Sequence, residues 1–251
     1  MQFFLPSILP VNLEFLEFDS SIINYALPFI FMLISQPANQ LAQTVCERIL
    51  TLADQAIAQR GQFKIVLAGG KTPEKVYSLL AKRDAQWSKW FIYHGDERVL
   101  PVNHVDRNSV MAANAWLHHV AIPSSHIFDI PTELGTQASA IAYREIIKNA
   151  MPFDLVLLGM GEDGHIASLF PEQSHDESEL VHEIYHSPKL PSERVTLSAN
   201  ALSATQTLLF LITGENKKDA YSRWQAGEKL PVATVRAIDT LDIYLDRVII
   251  D

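Results

Sequence analysis

Five short apolar segments constrain the fold of this 251-residue chain more than any other feature. Each is about as long as a buried strand. The segments are residues 63–68, 90–94, 153–158, 207–213 and 241–245. Around them lie helix-like stretches such as residues 40–59, where apolar side chains recur every three or four positions. Strands that alternate with helices form βαβ units, so we predict a single α/β domain with a Rossmann-like, mainly parallel sheet flanked by helices.

Residues 1–36 do not fit this alternation. Their apolar run at residues 22–34 is about 13 residues long, short of the roughly 20 that span a bilayer, and Pro28 interrupts it. The charges before this run are acidic, whereas a secretory signal begins with basic residues. We therefore predict an N-terminal extension of unknown role over residues 1–36, one domain over residues 37–251, and no membrane partner.

The charge balance narrows the class of partner. The chain has 20 Lys and Arg against 29 Asp and Glu, a net charge of −9 that argues against a nucleic-acid partner. A small anionic substrate is not excluded, because a few local cations hold one against an acidic background. The single cysteine, Cys46, excludes an internal disulfide framework and a cysteine-based zinc cluster. This cysteine usage predicts a reducing, cytoplasmic location.

The first apolar segment runs directly into the turn Gly69-Gly70-Lys71-Thr72-Pro73. Glycines let a ligand approach the backbone, and free N–H groups at the start of a helix attract anions. Thr72 is the expected N-cap, with Pro73 at the first helical position. The spacing fits neither a P-loop nor a dinucleotide fingerprint, which disfavours a nucleotide. A plain strand-turn-helix connection explains the motif equally well.

A second glycine-rich turn follows the apolar segment at residues 153–158. Its glycines present Asp163 and His165 at the end of the predicted strand. Histidine titrates near neutral pH and serves as a general base or acid, and a neighbouring carboxylate can orient it. Further charged residues lie near the ends of other segments, each a weak signal alone: Asp96, Arg98, Arg194 and Lys217.

Together these motifs resemble those of the 6-phosphogluconolactonases. The matching elements are GGKTP at 69–73, GDER at 95–98, GMGEDGHIASLFP at 159–171, RVTLS at 194–198 and G-x-x-K at 214–217. They occur in family order across residues 37–251. The related glucosamine-6-phosphate isomerases share the sugar-phosphate fold, but the residues after the DGH element and the GDER motif favour the lactonases. Lys71 departs from the serine of many relatives and adds charge beside the presumed phosphate.

The resemblance implies hydrolysis of 6-phospho-D-glucono-1,5-lactone to 6-phosphogluconate, the second step of the oxidative pentose phosphate pathway. It implies His165 as general base and acid, with Asp163 and Asp96 in support, and no metal or organic cofactor. The implied substrate- and phosphate-binding residues are Gly69, Gly70, Lys71, Thr72, Arg98, Arg194 and Lys217. Two alternatives stay open: a glucosamine-6-phosphate isomerase or deaminase, and a non-catalytic regulator that binds a sugar phosphate. The oligomeric state is not predicted.

The segment His182-Glu-Ile-Tyr-His186 matches the H-E-x-x-H motif of zinc proteases. That chemistry requires both histidines on one face of a helix together with a third ligand. Pro188 and Pro191 end any helix almost at once. We therefore predict a solvated helix here, and not a zinc site.

Overall fold

The computed structural model describes residues 30–250, so the predictions for residues 1–29 lie outside the described residues. The strands are β1 (Ile30–Gln36), β2 (Phe63–Leu67), β3 (Trp90–His94), β4 (Asp96–Arg98), β5 (Ile127–Phe128), β6 (Phe153–Leu158), β7 (Val181–Ile184), β8 (Arg194–Leu197), β9 (Thr205–Ile212) and β10 (Thr240–Asp246). The α-helices are α1 (Ala38–Arg60), α2 (Lys71–Leu80), α3 (Asn108–Ala115), α4 (Thr136–Ala150), α5 (Ala199–Ser203) and α6 (Lys218–Gln225).

A seven-stranded sheet with the order β1-β10-β9-β6-β2-β3-β5 forms the centre of the molecule. Every neighbouring pair in it is parallel. The five predicted segments form β2, β3, β6, β9 and β10, and the helix predicted over residues 40–59 lies within α1. The predicted α/β class and mainly parallel sheet are confirmed.

The sheet starts earlier in the chain than predicted. Strand β1 pairs with β10 along its whole length, from Ile30 opposite Thr240 to Gln36 opposite Asp246. Residues 30–36, assigned to the extension, are therefore an edge strand of the sheet. Composition did not separate them from the preceding apolar residues, because only the pairing with β10 marks where the strand begins.

Two hydrophobic clusters cover the two faces of this sheet. Alternate residues of a strand point to opposite faces, so Ile65 and Leu67 pack with α1 and α2 while Val66 packs with α4. Burial on both faces explains why the predicted strands read as continuous apolar runs instead of alternating ones. Within residues 30–250, no helix is long and apolar enough to cross a membrane.

The prediction of a solvated helix at residues 182–186 is wrong. Residues Val181–Ile184 form β7, which pairs antiparallel with β8, with His182 opposite Thr196. His182 is buried and His186 is exposed, so the two histidines do not share a helical face. Pairing with β8 supplies backbone hydrogen bonds that a local helix pattern does not anticipate. In the part of the chain that the structure describes, no three His, Cys, Asp or Glu side chains cluster as a metal site would require.

The connectivity brings the polar turns together. From β2 the chain adds β3 and β5 on one side, and it then crosses to the other side of β2 to form β6. In open α/β sheets, ligands bind at such a switch point, beyond the carboxyl ends of the strands. Strand β4 follows β3 at this edge and joins β8 and β7 in a three-stranded antiparallel sheet. The small sheet therefore carries Asp96, Arg98 and Arg194 to the same edge as the glycine turns.

Candidate active site

A cleft of about 280 Å³ opens at this edge of the sheet. The structure brings seven of the predicted residues to its wall: Gly69, Gly70, Asp96, Arg98, His165, Arg194 and Lys217. Asp163 lies behind His165, and Lys71 and Thr72 are not part of the wall. The convergence of glycines, one histidine and several cations is that of a site for a small anionic substrate.

His165 and Asp163 form a hydrogen-bonded pair. The Nδ1 atom of His165 lies 2.5 Å from Oδ1 of Asp163, which also accepts a bond from the main-chain N–H of His165 at 3.2 Å. Burial lowers the pKa of His165, and the opposing charge of Asp163 does not restore it. Burial alone would raise the pKa of Asp163, but the charge of His165 and the hydrogen bonds from it outweigh this and lower it. Since ionised Asp163 only accepts, Nδ1 carries the hydrogen and Nε2 carries the free lone pair.

Gly161 leaves room for this pair. A Cβ atom at Gly161 would lie 2.0 Å from Nδ1 of His165 and 2.6 Å from Oδ1 of Asp163. No side chain fits at such distances, so a glycine here is required by the close approach of the histidine ring. The spacing of the glycine turn is therefore tied to the geometry of the pair.

Asp96 is buried and held from three sides. Its Oδ2 accepts a hydrogen bond from Ser168 Oγ at 2.6 Å, and its Oδ1 accepts one from Asn108 Nδ2 at 3.0 Å. Nη1 of Arg194 lies 4.0 Å from Oδ2. Asn108 also touches the turn after β2, because a Cβ atom at Gly69 would lie 2.0 Å from its Oδ1. Asn108 thus joins the Gly69 turn to Asp96.

Glu97 explains how Asn108 is held. Its fully buried carboxylate accepts the main-chain N–H groups of Asn108 at 2.7 Å and Ser109 at 2.8 Å, and the Ser109 hydroxyl at 2.7 Å. These N–H groups open α3, where a negative charge is stabilising. The two acidic residues of the GDER motif therefore have different roles: Asp96 lines the cleft, and Glu97 caps the start of α3.

Most of the hydrogen bonds of the Arg194 guanidinium go to main-chain carbonyls of the protein. Its Nε donates to the carbonyl of Pro191 at 3.1 Å, and Nη2 donates to the carbonyls of Lys189 at 3.0 Å and Leu190 at 3.1 Å. Nη1 lies 3.5 Å from Ser168 Oγ, and Arg194 is part of the cleft wall. Arg194 therefore holds the segment before β8 through Nε and Nη2, whereas the contacts of Nη1 to Ser168 and Asp96 are long.

Comparison with known proteins decides the family. The family model described as glucosamine-6-phosphate isomerases/6-phosphogluconolactonase matches residues 36–243. The chain belongs to this family. A 6-phosphogluconolactonase of Nostoc sp. is 37% identical over 186 residues, covering 70% of this chain and 76% of that protein. The chloroplastic 6-phosphogluconolactonase 3 of Arabidopsis thaliana is 31% identical over 217 residues, covering 78% and 67%.

Solved structures of the family share the fold. The crystal structure of a 6-phosphogluconolactonase from Thermotoga maritima has a TM-score of 0.82 at 28% identity, covering 86% of this chain and 99% of that one. A monomeric glucosamine-6-phosphate deaminase has a TM-score of 0.76 at 18% identity, covering 87% and 98%, a likeness of fold alone. The predicted resemblance and the sugar-phosphate isomerase-like fold are confirmed.

The start of α2 differs from the start predicted from the sequence. The helix begins at Lys71 with Gly70 as N-cap at φ +102°, so the prediction of Thr72 as N-cap is wrong. The Thr72 hydroxyl instead shares a hydrogen bond of 2.6 Å with the Thr213 hydroxyl. The Lys71 side chain is exposed and does not reach the cleft. What the turn offers at the cleft wall is the main chain of Gly69 and Gly70, which directly precedes the helix.

Two cleft residues with polar side chains were not predicted from the sequence: Asn108 and Lys189. Asn108 lies on α3, ten residues past the GDER motif, and Lys189 lies in a proline-rich connection. Neither belongs to a glycine turn or directly follows a strand of the central sheet, the two patterns that predicted the other residues. Only the small antiparallel sheet brings Lys189 to the cleft, and only the Glu97 cap brings Asn108 there.

Proposed function

We propose that this chain is a 6-phosphogluconolactonase, hydrolysing 6-phospho-D-glucono-1,5-lactone to 6-phosphogluconate. The observation that carries the proposal is the His165–Asp163 pair at the wall of a cation-bearing cleft. The family match and the 37% identical relative of that name support the same reaction. The reaction is the second step of the oxidative pentose phosphate pathway.

His165 is the proposed general base and acid. The Nε2 lone pair takes a proton from a water molecule while the oxygen of that water attacks the lactone carbonyl. The same nitrogen then returns the proton to the leaving ring oxygen. Asp163 holds the hydrogen on Nδ1 and stabilises the imidazolium that forms between these steps. Proton transfer of this kind is worth about 10²–10⁴-fold in rate. The low pKa of His165 keeps the ring neutral and ready to act as a base near neutral pH.

The carbonyl oxygen needs N–H donors as its charge develops. The N–H groups of Gly161 and Gly164 are already used, since they donate to the carbonyls of His165 at 2.8 Å and Gly161 at 3.1 Å. The remaining proposed donors at the cleft wall are the main-chain N–H groups of Gly159 and Met160.

The phosphate is proposed to bind where cations face the cleft. Nη1 of Arg194, the ammonium of Lys217 and the Arg98 side chain supply positive charge there. Burial lowers the pKa of Lys217. The main-chain N–H groups of Gly69 and Gly70, at the cleft wall just before α2, are proposed to add donors, whereas the Lys71 side chain takes no part. Asp96 is proposed to orient Ser168 and Arg194 around the substrate.

The proposed location in the cell follows from the single cysteine, Cys46. The only cysteine is buried, as suits a reducing compartment. We propose the cytoplasm, and a reducing plastid is the alternative because the Arabidopsis relative is named chloroplastic. The proposed partner is the sugar-phosphate lactone itself.

The direct test measures hydrolysis of freshly generated 6-phosphogluconolactone against its spontaneous background. We expect wild-type protein to accelerate hydrolysis, and His165→Ala to lose about 10²–10⁴-fold in kcat while binding 6-phosphogluconate as before. His118→Ala, at an exposed histidine outside the cleft, is the matched control and keeps full activity. Ammonia release from glucosamine 6-phosphate, or tight product binding without turnover, would replace the proposal by one of the alternatives.

A further inference from the structure

Lys189, a residue of the cleft wall, forms an ion pair with Glu162. Nζ of Lys189, in the connection between β7 and β8, lies 2.8 Å from Oε1 of Glu162, in the turn after β6. The second oxygen of Glu162 accepts a hydrogen bond from Asn216 Nδ2 at 3.2 Å. Asn216 precedes Lys217, which lines the cleft. One carboxylate therefore links the three segments that carry His165, Lys189 and Lys217.

The backbone of Lys189 is fixed while its side chain is free to change partner. Its carbonyl accepts bonds from Ser187 Oγ at 2.8 Å and from Arg194 Nη2 at 3.0 Å, and its N–H donates to Ser187 Oγ at 3.1 Å. The side chains of Lys189 and Glu162 are 37% and 54% exposed. An exposed ion pair contributes little, so exchanging Glu162 for another anion costs little.

The charges around Glu162 suit a dianion better than a carboxylate. The hydrogen bond and charge of Lys189 lower the pKa of Glu162, with Asn216 and Lys217 acting in the same direction, so it is ionised. One carboxylate thus faces two ammonium groups at the cleft. A phosphate carries close to two negative charges and three acceptor oxygens, which matches two lysines and the nearby Nη1 of Arg194.

We propose that Lys189 is a specificity-determining residue that leaves Glu162 and binds the phosphate group of the substrate. The inference rests on the proposed function and extends it to a residue outside the recognised motifs. Arg194 then has two tasks, since it contacts the cleft through Nη1 and presents Lys189 through the carbonyls that it holds. Glu162 holds the Lys189 ammonium in the absence of substrate and competes with the phosphate for it.

The test compares Lys189→Met with Lys218→Met. Lys218 is exposed, follows Lys217 in the chain and does not line the cleft. We expect Lys189→Met to raise KM for 6-phosphogluconolactone about tenfold or more, with kcat within about twofold of wild type, because binding common to ground and transition states is lost. Lys189→Arg restores most of the affinity, and Lys218→Met behaves like wild type. Thermal unfolding midpoints of the variants establish that they are folded.

A second measurement separates this inference from the proposed function. Calorimetric titration with inorganic phosphate reports on the anion site even if the lactone is not a substrate. We expect the dissociation constant for phosphate to rise about tenfold in Lys189→Met and to fall in Glu162→Gln, which removes the competing carboxylate. An unchanged phosphate affinity in Lys189→Met overturns the proposal, as does a loss confined to kcat. Absent turnover by wild-type protein overturns the proposed function instead.

Discussion

The contact between Asp163 and His165 leads to a quantitative prediction for Asp163→Asn. The pair is 2.5 Å apart and partly buried, with side-chain exposures of 32% and 17%. Close opposite charges near a protein surface interact by about 4 kcal/mol at an effective dielectric constant of about 20. Solvent reaches part of Asp163, which reduces the stabilisation of a transient imidazolium to about 2–3 kcal/mol. We therefore expect kcat to fall about 30–150-fold, since each 1.36 kcal/mol is tenfold in rate.

The same substitution moves the pH profile in a direction that the structure dictates. A general base must be neutral, so kcat rises with pH through the pKa of His165. Burial lowers the pKa of His165 and the charge of Asp163 opposes this. Removing that charge lowers the pKa further, so the acid limb of the kcat profile moves to lower pH in Asp163→Asn.

The assay follows lactone hydrolysis from pH 5 to 8, corrected for the spontaneous reaction at each pH. Asp219→Asn, at an exposed carboxylate on α6, serves as the control and keeps the wild-type profile. An Asp163→Asn variant with wild-type kcat, or with its acid limb at higher pH, would refute the assignment of His165 as a base supported by Asp163.

Three further predictions concern residues around the site. Asn108→Ala removes hydrogen bonds of 2.9 and 3.0 Å to the carbonyl and carboxylate of Asp96, and should lower the free energy of unfolding by about 1–3 kcal/mol in urea titrations, together with kcat. Gly161→Ala places a methyl group 2.0 Å from the His165 ring, so we expect kcat to fall at least about tenfold, with a lower Tm. Burial lowers the pKa of His182 to about 4, below its unfolded value of about 6.5, so its neutral form favours the fold. The contribution of neutral His182 to the free energy of unfolding is therefore fully present above about pH 6.5 and is lost as the pH drops toward about 4. His182→Gln should flatten this part of the plot of urea midpoint against pH.

Much of the site was predictable because it lies in local turns. Each glycine turn follows a strand whose apolar run is easily recognised, and parallel strands bring their carboxyl ends to one edge. His165 and Asp163 are two residues apart, so the pair forms within a single turn. Gly69, Gly70 and Lys217 reach the cleft for the same reason, each lying just beyond a strand of the central sheet.

Residues that depend on pairing between distant segments were not predictable in this way. The motif at residues 182–186 has a helical spacing of histidines, but its first residues form a strand because β8 pairs with them. Thr72 looked like a helix cap, but Gly70 takes that position and the threonine hydroxyl turns to Thr213. Residues 30–36 were grouped with the extension because their role as a strand is defined only by β10.

The amino-acid sequence by itself determined the α/β class, the edge of the sheet at which the cleft lies, and the His165–Asp163 pair. These depend on periodicity and on contacts within a few residues, which local order along the chain encodes. The tertiary structure alone decided which cations face the cleft: it leaves the Lys71 side chain outside, occupies most of Arg194 with main-chain carbonyls, and brings in Lys189. The physical reason is that hydrogen-bond partners and burial are set by segments far apart in the chain, and these decide what each charge is free to bind.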